Sequence, residues 1–261
     1  MLPLCLLLAL AAGPTAPQWP KAGAPLNLVH LSHSPRKRPW RIYLDGGHGA
    51  KDNQGVASVT CEHEEDFTLR VAKDLAEHLR RTGAFEVRLS RDGARVAYEA
   101  RVRAAESWKA DAFLSLHADA RGLARWWSPV PGTFCLRQDE TPGFAVLWSS
   151  DGPALLTPRR QTLARALATR MRQAGLLAYD GVDYPGHYVG DDSHPGVFEN
   201  RPGIGRRIFV LRKPTMPSVI IETHHALDFE EAARWKEPLT LEAFAAAVAA
   251  SLSDVLGTMS P

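Results

Sequence analysis

From Trp40 onward the apolar positions of the chain switch between two periods. "RIYLD" (41–45) is a short apolar run suited to a buried strand. Phe67, Val71, Leu75 and Leu79 then recur every fourth residue and Gly83 follows as a stop, so the spacing predicts a helix. "FEVRLSRD" (85–92) alternates Phe85, Val87 and Leu89 with polar neighbours, as a half-buried strand does. A second helix is predicted over 95–108, and "DAFLSLH" (111–117) is almost continuously apolar, as a central strand is. "GTFCLRQ", "GFAVLWSS", "RIFVLR" and "PSVIIE" read as further strands. Leu163, Leu167 and Met171 mark a third helix with a solvated arginine face. Leu241, Phe244, Val248, Leu252 and Val255 mark a last helix that covers the sheet. This alternation predicts a single α/β domain: a twisted, mostly parallel or mixed sheet of about six strands with helices on both faces.

Composition moves the boundaries more than the class. The first residues, "MLPLCLLLALAAG", are apolar but too short to span a bilayer, and no other segment reads as a membrane span. Ala9-Leu10-Ala11 offers the small-residue pattern of a cleavage site, so residues 1–17 are expected to be an export signal. Residues 18–39, rich in Pro and Ala and ending in "PRKRP", read as a linker, and 40–261 as the folded domain. The 31 Lys and Arg nearly balance the 29 Asp and Glu, and the basic residues are scattered, which gives nucleic acid no footprint. Cys61 and Cys135 can pair in an oxidising compartment or stay two separate thiols.

Three apolar runs end in a group able to hold a metal or a proton. "RIYLD" leads through Gly46 and Gly47 to His48, "DAFLSL" ends in His117, and "PSVII" ends in Glu222. In open α/β sheets, ligands bind in the crevice at the carboxyl ends of the strands. A fourth group, Glu64, opens the helix whose stripe starts at Phe67. Two neutral imidazoles and one carboxylate make a zinc site with an open position. The metal there activates a water and polarises a carbonyl, and a second carboxylate outside the ligand set carries the proton to the leaving amine. Gly46, Gly47 and Gly49 would let the backbone turn and keep bulk away from the ion. Each residue also has a plain reading. A histidine after a strand can be a hydrogen-bonded loop residue, Glu64 an acid favoured by the helix dipole, and Glu222 a buried carboxyl that needs a partner.

"IYLDGGHGAKD", "EEDFTLRVAKDLAEHL", "VRLSRD", "EARVRAAESWKADAFLSLHADA" and "FVLRKPTMPSVIIET" follow one another in that order. In these motifs the chain resembles the zinc-dependent N-acetylmuramoyl-L-alanine amidases of the third amidase family, exported enzymes that trim bacterial peptidoglycan. The resemblance implies one zinc per chain held by His48, Glu64 and His117, with Glu222 as the catalytic carboxylate. It implies peptidoglycan as substrate and a place in the periplasm, cell wall or outside the cell, and leaves a protein activator open. It covers about residues 40–256 and is poor from 121 to 207.

The chain departs from the family at several points. Gly46 stands where the family has proline, Glu65 and Glu62 rival Glu64, and "THHALDFEE" replaces a glycine-aromatic segment. His224 and His225 are expected to be structural or solvated, and Arg212 or Lys213 are candidate aids to the oxyanion. The segment 179–205, rich in Gly, Asp, Pro and His, is expected to shape the groove or partly cover the metal with His187 or His194 nearby, or else to be a remote solvent loop. Two further readings are a zinc peptidase or other amide hydrolase with a changed substrate, and a non-catalytic wall-binding domain.

Overall fold

The computed structural model describes residues 26–31, 38–201 and 208–258, so the expected signal, 1–17, lies outside the described residues. Strand β1 (Trp40–Gly46) leads to helix α1 (Glu64–Arg81), strand β2 (Phe85–Leu89), helix α2 (Tyr98–Ser107) and strand β3 (Ala112–Asp119). Strands β4 (Arg125–Trp127), β5 (Cys135–Arg137) and β6 (Ala145–Trp148) precede helix α3 (Thr157–Gln173). Two short strands follow, β7 (Val189–Gly190) and β8 (Val197–Glu199), and then helix α4 (Phe209–Arg212). Strand β9 (Ser218–His225) and helices α5 (Phe229–Arg234) and α6 (Pro238–Thr258) complete the order.

Seven strands form the main sheet in the order β2-β1-β3-β9-β6-β8-β7. The first four run parallel, β6 runs antiparallel to β9, and β7 runs antiparallel to β8. Along each strand, alternate side chains go to opposite faces. Leu114, Leu116, Val219 and Ile221 join one core with α1, α3 and α6. Phe113 and Ile220 join a second with α2 and α4. By the same parity, His117 and Glu222 emerge on the second face. Helix α6 is apolar on all sides because it lies against both α1 and α3, and most of it is buried.

The structure corrects three element readings. "RIFVLR" contributes α4 rather than a strand. A run of four apolar residues has no period to choose between the two, and β9 already has β3 and β6 on its two sides. "GTFCLRQ" contributes β5, which pairs only with β4 in a separate hairpin. Segment 179–205 is not structureless: it contains β7 and β8, and β8 pairs with β6. Within the segment 18–39, Leu26 is buried in the first core and Asn27 N–H donates to the Ala174 carbonyl (3.1 Å), so these two residues pack on the domain. Cys61 and Cys135 form a disulfide across 74 residues of chain, with Cα atoms 5.6 Å apart. In chain-entropy terms that closure stabilises the fold by about 4 kcal/mol.

Candidate metal centre

The turn after β1 is held from both sides. Gly47 N–H donates to the Leu116 carbonyl of β3 (2.9 Å), and a Cβ at Gly47 would overlap the His117 ring. His48 sits at φ 58°, a left-handed conformation uncommon for a residue with a Cβ. Two buried arginines brace it. Arg101 pairs with Asp45 (2.8 Å) and donates to the carbonyls of Gly46 (3.1 Å) and His48. Arg91 donates to the carbonyls of Gly46 (2.9 Å) and Gly47 (3.1 Å) and to Thr68 Oγ1 (3.1 Å). Asn53 Oδ1 accepts from His48 Nδ1 (2.7 Å), which turns Nε2 inward.

Glu64, the first residue of α1, lies buried between two imidazoles. Its Oε1 accepts from His117 Nδ1 (3.1 Å) and from the Ala118 N–H (3.1 Å). Its Oε2 lies 3.0 Å from His48 Nε2 and accepts from the Val56 N–H (3.2 Å). The ligand atoms of His48, Glu64 and His117 all lie within 4.8 Å of one another. The rivals are elsewhere: Glu62 pairs with Arg70 (3.2 Å), and Glu65 is outside the cluster. Burial alone would raise the Glu64 pKa, but the hydrogen bonds from His117 and His48 reverse this and hold it far below the carboxylate range. Burial would lower the His48 pKa, and Glu64 more than offsets it. A carboxylate kept ionised between two nitrogen donors is a donor set that suits zinc.

Glu222 stands beside this group. Its neighbour in register on β3 is His117. With His48 and His117 it lines a cavity of about 430 Å³ whose other walls include Tyr98, Tyr188 and Phe209. Burial pushes the Glu222 pKa well above the ordinary value, and the nearby charges of Asp119 and Glu64 push it further, against Arg121. Asp119 is held by Arg121 Nε (2.8 Å) and by the Tyr184 hydroxyl. His187 also lines the cavity, so the segment 179–201 forms part of its wall. His194 does not; it lies 3.4 Å from Asp191. Arg212 and Lys213 are not among the lining residues.

Residues 42–254 match the family model described as N-acetylmuramoyl-L-alanine amidase. The chain belongs to this amidase family. It is 25% identical over 225 residues to the N-acetylmuramoyl-L-alanine amidase AmiC of Escherichia coli O6:H1, covering 77% of this chain and 49% of AmiC. It is 28% identical over 183 residues to the probable cell wall amidase LytH of Staphylococcus aureus, covering 69% of this chain and 46% of LytH. The chain thus spans about half the length of these curated relatives. Among solved structures it shares the fold of the N-acetylmuramyl-L-alanine amidase Ami1 of Mycobacterium smegmatis (TM-score 0.64, 21% identity, 86% of this chain and 100% of that one). It also shares the fold of an N-acetylmuramoyl-L-alanine amidase from Clostridium difficile 630 (TM-score 0.63, 17% identity, 86% of this chain and 100% of that one).

Several residues of the amidase site escape a reading of periods and motifs. Asn53 and Tyr188 lie in segments with no period and Tyr98 at the start of α2, and only folding brings them to the cavity. Gly55, at φ 75°, leaves room for Glu64 and the His48 ring where a Cβ would collide with both. Gly46 has no such strain, so of the three glycines in the loop it is Gly47 that clears space for the His117 ring.

His224 and His225 of the amidase domain are buried and away from the cavity. His224 stacks on Trp235 at 5.6 Å, and His225 Nε2 donates to Gln138 Oε1 (3.0 Å). Burial lowers the pKa of His224 well below 6.5 and that of His225 to about 4. The unfolded chain binds protons below pH 6.5 that the fold excludes, so stability is full above pH 6.5 and falls as pH drops toward 4. Urea titrations should show a plateau from pH 7.5 to 6.5 and, between pH 6.5 and 5, a loss approaching about 1.4 kcal/mol per pH unit for each neutral imidazole. His225→Gln should shrink that slope; an unchanged slope would mean that His225 takes up its proton inside the fold.

Proposed function

We propose that this amidase domain hydrolyses the amide between N-acetylmuramic acid and L-alanine in bacterial peptidoglycan, using one zinc ion held by His48, Glu64 and His117. The observation that carries the reading is the compact donor set at one cavity with Glu222 beside it. Zinc in that position supplies a Lewis acid for the scissile carbonyl. Glu222 accepts a proton from the attacking water and returns it to the leaving amine, a task suited to a carboxyl whose proton affinity is raised. Tyr98, Tyr188 and Phe209 wall the cavity beside these residues.

Export to the periplasm or cell wall fits the Cys61–Cys135 disulfide and the names of the relatives. In this reading residues 1–17 are the removed signal and 40–261 the catalytic domain, with 18–39 between them.

Digestion of purified muropeptides, with and without a chelator, tests the proposal. The expected products are glycan free of peptide and intact stem peptides, formed only when zinc is present. Cleavage within the stem would instead identify a peptidase, and a protein without zinc or turnover would be a wall-binding module.

A further inference from the structure

The β4–β5 hairpin presents an apolar face that the active site does not use. Strand parity puts Trp127 and Cys135 on the inner face, and Trp126 with its cross-strand partner Leu136 on the outer one. Phe134, two residues before Leu136, shares the outer side by the same parity. Trp126 is 72% exposed, Phe134 69% and the neighbouring Leu123 99%. A cluster of large apolar groups held in solvent marks a binding surface.

Its inner face is tied to the segments that carry the site. Trp127 Nε1–H donates to the Val59 carbonyl (2.8 Å), and the Trp127 ring meets Phe229 edge-on at 5.6 Å. Val59 N–H donates in turn to the Ala226 carbonyl (2.9 Å), just beyond β9. Cys135 is bonded to Cys61, three residues before Glu64. A two-stranded hairpin is marginal alone, and these ties fix it to the segment that precedes Glu64 and to the turn after β9.

Charge separates the two main candidates for what covers it. A loop that enters an anionic bilayer interface carries an excess of cations. Here Arg125 and Arg137 are matched within the same segment by Asp139 and Glu140, and Asp139 pairs with Arg137 (2.6 Å) and lies 3.7 Å from Arg125, so the hairpin carries no excess of cations. A flat aromatic face beside paired polar groups suits a neutral sugar ring, which has an apolar C–H face and hydrogen-bonding edges.

We propose that Trp126 and Phe134 form a stacking platform, outside the catalytic cavity, that docks a glycan strand of polymeric peptidoglycan. The proposal rests on the substrate class given above and extends it from the scissile bond to the polymer.

The test uses the full chain and its Trp126→Ala/Phe134→Ala variant, with melting temperature measured on both. Retention on purified insoluble sacculi, measured in a Glu222→Gln background, should weaken about tenfold in the variant. Turnover of a soluble monomeric muropeptide by the otherwise wild-type chain should be unchanged by the double substitution. Equal retention on sacculi would overturn the proposal. So would a parallel loss of muropeptide turnover, or a parent that prefers anionic phospholipid vesicles to sacculi. If the parent hydrolyses neither substrate, the amidase reading fails, while retention on sacculi still decides the docking.

Discussion

Glu222→Gln is expected to lower muropeptide hydrolysis by about 10²–10⁴-fold while zinc stoichiometry stays at the parent value. The side chain keeps its size but can no longer take up the proton of the attacking water. No donor among the described residues bonds the Glu222 carboxyl, so the amide breaks no hydrogen bond. The fold pays for the acid instead, since burial and the charges of Asp119 and Glu64 disfavour its ionised form. The unfolded chain ionises this carboxyl above pH 4.5 while the fold resists doing so, which subtracts from stability at neutral pH. The metal-free variant should therefore melt no lower than the metal-free parent. Lost turnover with bound zinc and an unchanged or higher metal-free melting temperature is the signature of an acid kept for chemistry. Turnover within a few-fold of the parent would remove Glu222 from the mechanism.

Arg101→Met should cost about 3–5 kcal/mol of unfolding free energy. Arg101 and Asp45 are both inaccessible to solvent and pair at 2.8 Å. Removing the guanidinium leaves the Asp45 charge buried with Ser115 Oγ–H (2.7 Å) as its remaining side-chain donor. It also frees the carbonyls of His48 and Val96 and leaves that of Gly46 to Arg91. The brace on the left-handed His48 goes with it, so zinc affinity should fall although Arg101 touches no metal ligand side chain. Ser115→Ala, which removes one hydrogen bond from the same carboxylate, should cost only about 1 kcal/mol. Replacing both members, as in Arg101→Met with Asp45→Leu, should recover part of the loss. Denaturant titration and a zinc-binding measurement read both effects. An Arg101→Met protein within 1 kcal/mol of the parent would show that the pair does not hold the turn.

Much of this site was legible before folding. Strands announce themselves by an apolar run, and the runs of β1, β3 and β9 lead to His48, His117 and Glu222, although β3 continues to Asp119 and β9 to His225. The start of α1 was legible from its stripe, and that placed Glu64 near the strand ends. Choosing Glu64 over Glu65 or Glu62 was not. Neighbouring helix positions differ by about 100° in direction, and which of them meets the imidazoles depends on how α1 lies across β3.

Local pattern therefore settled the α/β class, the places of the main strands and the types of group delivered there. It could do so because burial on a strand or helix face imposes a period that a dozen residues display. Convergence was decided elsewhere. The order of strands, the 4.8 Å clustering of His48, Glu64 and His117, and the burial of Arg91 and Arg101 all join residues far apart in the chain. So does the folding of 179–201 against the cavity. Such contacts leave no period behind, because each partner satisfies a hydrogen-bonding or charge requirement that exists only once the other has been packed beside it.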